Sequence, residues 1–119
     1  MKFEDYKPTG KISNKHMLTL MDYSTEEIFE LLACAVELKR KQYAREKHDY
    51  LAGKTLAMIF EKSSTRTRIS FEQGIRQLGG YPMFLSSRDI QLGRGEPIRD
   101  TVRVMERKNI DGIMIRTYK

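Results

Sequence analysis

A chain of 119 residues with one cysteine and a net charge of +6 is one domain's worth of protein, too short for two. It has no partner thiol for an internal disulfide, and its basic balance favours anionic partners. No secretory leader is expected from the polar start, with Lys2, Glu4, Asp5 and Lys7, and no bilayer-spanning helix from a sequence that lacks any apolar run of about eighteen residues, so a reducing, cytoplasmic setting is expected.

Residues 1–16, with Pro8 and Gly10, read as a flexible lead-in. His16 has no carboxylate or second histidine at ligand spacing, and no metal is assigned. Ser24 followed by Glu27 is a capping box, so a helix is expected to begin near Thr25. Ile28, Leu31, Leu32, Ala35 and Leu38 recur on one helical face, leaving Glu26, Glu30, Glu37 and Arg40 on the solvated side. Cys34 borders the apolar stripe and is expected to pack as an inert thiol. Lys39, Arg40 and Lys41 come late in this helix, where cations suit the dipole.

The run Thr55–Phe60 is apolar at every second position and between, the pattern of a strand covered on both faces. Residues 81–85 and 112–115 are the next candidate strands. A helical pattern with Phe71, Gly74, Ile75 and Leu78 separates the first pair, and another, opened by Pro97 and striped by Ile98, Val102 and Met105, separates the second. The order is βαβαβ. It predicts an α/β fold, a parallel sheet in three layers with helices on both faces, joined by right-handed crossovers.

In such a sheet ligands bind beyond the carboxyl ends of the strands. The polar chemistry of this chain falls there. Ser64, Thr65, Arg66, Thr67 and Arg68 follow the first strand, the polar loop of residues 86–96 follows the second, and Arg116 closes the third. A helix start already presents unpaired backbone N–H groups and the positive end of the helix dipole, so two arginines there are misplaced unless an anion joins them. Backbone donors, hydroxyls and a planar guanidinium can converge on one phosphate-like group. The plainer alternative is that Ser64 merely caps the helix and the arginines are solvated, but a cap needs one hydroxyl, and first turns favour acidic residues. For Gln91 and Arg116 the corresponding alternatives are a solvated loop and an exposed strand tip.

Phe60-Glu61-Lys62-Ser63-Ser64-Thr65-Arg66-Thr67-Arg68, with Ser70-Phe71-Glu72 and Leu78-Gly79-Gly80 after it, resembles the carbamoyl-phosphate loop of the aspartate and ornithine carbamoyltransferase family. The run from Ile90 to Pro97 with Asp100 and Thr101, and the ending from Gly112 to Tyr118, are similar to the ornithine branch. Ser63 stands where many relatives have proline. The resemblance implies a lead-in over residues 1–16 and a carbamoyl-phosphate-binding domain over residues 17–119, incomplete at its C-terminus, with the amino-acid-binding domain absent.

It further implies transfer of a carbamoyl group from carbamoyl phosphate to ornithine, giving citrulline and phosphate, within arginine biosynthesis. No cofactor takes part. By the same resemblance Ser64, Thr65, Arg66, Thr67, Arg68, Gln91 and Arg116 bind carbamoyl phosphate, Arg66 and Arg116 being catalytic. A homotrimer is implied for the complete protein, with inactivity for this piece alone. Aspartate-type relatives bring a lysine into the site from the adjacent subunit; the loop of residues 86–96 has none, and Arg94 is the residue expected to serve instead. Putrescine or aspartate in place of ornithine stays open. A nucleic-acid-binding module and a purely structural oligomerisation domain are the alternatives of another class. No contiguous basic stripe or interleaved aromatic patch supports nucleic acid, and no membrane partner is expected.

Overall fold

A computed structural model describes residues 1–60, 65–86 and 98–116. Two compact units are present, Met1–Lys47 and His48–Lys119. The first contains a helix α1, Thr25–Ala44, started by the capping box: Ser24 Oγ accepts from Glu27 N at 3.1 Å and Glu27 Oε1 accepts from Ser24 N at 3.0 Å. The helix stops where Arg45 turns left-handed, at φ 57°, with Glu46 N donating back to Lys41 O. Among the late basic residues Arg40 bridges Glu37 and Glu46 on the exposed side, at 2.7 and 3.0 Å.

The solvated face expected for α1 is corrected at Glu30, which is the buried residue of the helix. Its carboxylate accepts from Tyr6 Oη at 2.7 Å, from Thr9 N at 2.8 Å and from Gly10 N at 3.0 Å. Phe29 beside it takes the edges of the Phe3 and Tyr6 rings at 5.5 and 5.9 Å. Hydrogen bonds outweigh desolvation at Glu30, so its pKa is lowered, chiefly by the Tyr6 hydroxyl. Residues 1–16 thus place a turn, Phe3–Asp5, and several donors against α1. Leu32, Ala35 and Cys34 are exposed, so the stripe is only partly covered and the thiol is not packed as expected.

The second unit is the α/β fold expected: β1 Thr55–Phe60, α2 Thr65–Gln77, β2 Tyr81–Ser86, α3 Ile98–Arg107 and β3 Gly112–Arg116. All pairings are parallel, in the order β2-β1-β3. Central β1 holds the core, with Ala57, Met58, Ile59 and Phe60 all buried. The edge strands are half covered, and Pro82 sits in one of them, where a missing N–H is tolerated. The chain moves one way across the sheet from β1 to β2 and the other way from β2 to β3. Right-handed crossovers therefore put α2 and α3 on opposite faces. Side chains follow that division: Ala57, Ile59, Leu85 and Ile113 cluster with Met105 of α3, whereas Phe60, Phe84 and Arg116 meet one another or α2.

α2 ends in a Schellman motif. Gly80 N donates to Ile75 O at 2.9 Å and Gly79 N to Arg76 O at 3.0 Å, with Gly79 at φ +84°. Leu51 N and Tyr81 N then tie the turn to Leu78 O and Lys54 O, which sets where β2 begins.

Candidate functional site

Register decides what meets at the carboxyl edge of the sheet. Phe60 pairs with Ser86 on one side and with Arg116 on the other, so the three strands end level at one edge. The helix that follows β1 starts at this edge. Its first turn has no acidic residue to answer the dipole and carries Arg66 and Arg68 instead.

Thr67 and Arg116 come together. Arg116 Nη1 donates to Thr67 Oγ1 at 2.5 Å, joining the end of β3 to the first turn of α2 across 49 positions of chain, with both residues half-buried. A hydroxyl that accepts from a guanidinium keeps its own hydrogen for another acceptor. Thr65 and Arg66 lie beside this pair on the same turn and are exposed. Positive charge, hydroxyl donors and helix N–H groups thus lie together on half-covered ground, suited to a small oxyanion.

Arg68 is placed differently. Its Nε donates to Glu72 Oε1 at 2.8 Å, one helical turn on, and its guanidinium carbon lies 3.8 Å from the centre of the Phe84 ring. Phe84 in turn stacks on the buried Phe60 at 5.8 Å between centres. The Glu72 spacing is visible in sequence as an i, i+4 pair. Phe84 lies on another element, and nothing in the local pattern marks it. Ser64 and Gln91, also expected at this site, lie outside the described residues, as do Arg94 and Pro97.

The opposite edge, where the strands begin, has another character. A cleft of about 320 Å³ there is lined by Leu51, Lys54, Leu56, Ile75 and Asp111. Asp111 Oδ2 accepts from Thr55 N at 2.9 Å and Lys54 Nζ stands 4.0 Å from its other oxygen, so the single cation of this lining already faces a carboxylate. Among the described residues no group of His, Cys, Asp and Glu is arranged to hold a metal, and no helix is long and apolar enough to cross a membrane.

Residues 15–119 match the family model described as aspartate/ornithine carbamoyltransferase, carbamoyl-P binding domain. An ornithine carbamoyltransferase of Anoxybacillus flavithermus is 60% identical over 111 residues, which is 93% of this chain and 35% of that protein. Another, from Pelobacter propionicus, is 60% identical over 104 residues, 87% of this chain and 34% of its own length. Among solved structures, ornithine carbamoyltransferase from Pyrococcus furiosus superposes with a TM-score of 0.80 at 50% identity, over 86% of this chain and 32% of that one. The catalytic subunit of M. jannaschii aspartate transcarbamoylase gives 0.76 at 33% identity, over 89% and 35%. The chain spans about a third of the length of the curated relatives it matches.

Proposed function

From the premise that the chain belongs to the aspartate/ornithine carbamoyltransferase family and is its carbamoyl-phosphate-binding domain, we propose that it holds carbamoyl phosphate at the start of α2 for transfer of the carbamoyl group to ornithine. Citrulline and phosphate are the products. The observation that carries this reading is the Arg116 to Thr67 hydrogen bond, which places a strand-end cation on the hydroxyl of a helix first turn that lacks any acid. Ornithine rather than aspartate is favoured by the 60% identity to the Anoxybacillus ornithine carbamoyltransferase and by the 50% identity to the Pyrococcus one, where the M. jannaschii aspartate transcarbamoylase structure stands at 33% and an ornithine carbamoyltransferase of Thermus thermophilus, at 31%, narrows the margin. Putrescine is the remaining alternative.

The chemistry asks little covalent work of the protein. As the amine attacks the carbonyl carbon, negative charge grows on the carbonyl oxygen and on the departing phosphate, and cationic donors fixed in advance stabilise both. In this reading Ser64, Thr65, Arg66 and Thr67 surround the phosphate, with Gln91 as a further contact. Thr67 and Arg116 face the carbonyl oxygen, and Arg68 supports the turn and the phosphate. Arg66 and Arg116 are the catalytic cations. A homotrimer, a place in arginine biosynthesis and a cytoplasmic location belong to the same proposal.

Calorimetric titration with fresh carbamoyl phosphate tests it. A charge-assisted hydrogen bond contributes about 1.5–3 kcal/mol, so Arg66→Ala is expected to weaken binding at least tenfold, and to lower turnover by as much in a protein that completes the reaction. Near-normal binding by Arg66→Ala would remove that residue from the site.

A further inference from the structure

We propose that Phe84 is a positioning residue for the anion site: the face of its ring seats the guanidinium of Arg68 at the start of α2, so that the edge of that group is presented to a phosphate. The inference rests on the reading that carbamoyl phosphate binds there. Phe84 lies two residues before the end of β2 and pairs with Met58 in the central strand, so its backbone is set by the sheet. Its ring stacks on Phe60, which is only 3% exposed and does not move independently of the core. Arg68 lies against this platform, 3.8 Å from the ring centre.

Two restraints of different kind act on Arg68. Glu72 engages Nε at 2.8 Å, and both side chains are substantially exposed, so that ion pair alone holds the arginine weakly. The aromatic face fixes the plane of the guanidinium, which the ion pair leaves loose. Stacking uses the face of the group, whereas hydrogen bonds leave from its edge. The Nη groups are the ends that a bidentate contact with an oxyanion uses, and Glu72 does not take them in this pair.

The same contact completes a two-sided hold on the helix start. Arg116 of β3 grips Thr67, and Phe84 of β2 carries Arg68, while central β1 runs between those strands. The first turn of α2 is thereby tied to both flanks of the sheet. Donors held in place before the ligand arrives lose less freedom on binding.

The test is calorimetric titration with carbamoyl phosphate, and with inorganic phosphate, for the wild type, Phe84→Leu, Phe84→Tyr, Arg68→Gln and the Phe84→Leu/Arg68→Gln double variant. Phe84→Leu keeps an apolar side chain but loses the ring face, and is expected to weaken binding about threefold to tenfold. Phe84→Tyr retains the face and is expected to bind within about twofold of wild type. In the Arg68→Gln background Phe84→Leu is expected to cost nothing further, because the ring acts through the guanidinium; a general loosening of the fold would weaken binding equally in both backgrounds. If circular dichroism shows Phe84→Leu unfolded, Arg68→Lys replaces it: keeping the charge without the planar group is expected to cost the same threefold or more. Wild-type binding that survives Phe84→Leu or Arg68→Lys unchanged, or an equal loss in the Arg68→Gln background, overturns this inference alone. A wild type that binds neither anion overturns it together with the reading beneath it.

Discussion

The same chemical change, glycine to alanine, is expected to act with opposite sign at Gly74, within α2, and at Gly79, in the turn that ends it. At Gly79 the backbone is left-handed, φ +84°, and a Cβ placed there would stand 2.9 Å from Asp49 Cβ and 3.3 Å from Asp49 Cα. The conformation alone costs an alanine about 1–2 kcal/mol. The overlap adds about 1–3 kcal/mol, because one of the atoms met is backbone and must shift. At Gly74, which is in mid-helix, no atom of the described residues beyond its chain neighbours and the helix's own backbone lies within 4 Å of the added Cβ. Alanine there gains about 0.5–1 kcal/mol through the lower entropy of the unfolded chain. Thermal unfolding followed by circular dichroism reads both. At about 4 °C per kcal/mol for a domain of this size, Gly79→Ala is expected to melt about 8–20 °C below wild type and Gly74→Ala about 2–4 °C above it. Equal melting temperatures for the two variants would refute the account of how α2 ends and joins β2.

Glu27 accepts from Ser24 N and from both N and Oγ of Ser13, and these bonds hold its pKa at about 2 instead of 4.5. A depressed carboxyl stabilises the fold above its unfolded pKa and loses that contribution as pH falls through the folded value. The cap of α1 is therefore expected to persist from pH 4.5 down towards about 2, checked by the carboxyl carbon shift of Glu27 in an NMR titration; a midpoint near 4.5 would contradict the capping geometry. Tyr6→Phe removes the largest influence that lowers the Glu30 pKa, so Glu30 is expected to titrate at higher pH than in wild type and the amides of Thr9 and Gly10 to exchange faster. Unchanged exchange at both amides would show that Tyr6 does not close the buried carboxylate. Thr67→Val keeps shape but leaves Arg116 without its hydroxyl acceptor, and is expected to weaken carbamoyl phosphate binding roughly tenfold, by calorimetry, as loss of a charged hydrogen bond implies. Wild-type affinity would place Thr67 outside the site.

Local signals in this chain foretold local structure. Ser24 and Glu27 marked the start of α1 because both halves of the box lie within one turn, and Thr55–Phe60 announced a strand covered on both faces because both of its faces are apolar. The convergence of polar segments at one edge followed from strand order alone, and the level register of Phe60, Ser86 and Arg116 gives it geometry. Contacts between elements were not legible. Glu30 lies on the polar side of its own helix by periodicity, and is buried because Tyr6, Thr9 and Gly10, about twenty residues away, supply its donors. Leu32 and Ala35 follow the helical repeat yet stay exposed, since the repeat says which face is apolar and not whether anything covers it. The partnership of Arg68 with Phe84 joins a helix to a strand, and no spacing rule reports such a pair.

The central claim is that an anion sits where β3 meets the first turn of α2. An NMR titration of the isotopically labelled chain with carbamoyl phosphate, followed at the backbone amides of residues 65–68 and at the Nε–H of Arg116, addresses it most directly. Saturable shifts concentrated at those groups, lost in Arg116→Ala, are the expected result. Shifts that do not saturate, or that are largest around the exposed basic residues Lys39 and Arg40 of α1, would contradict it.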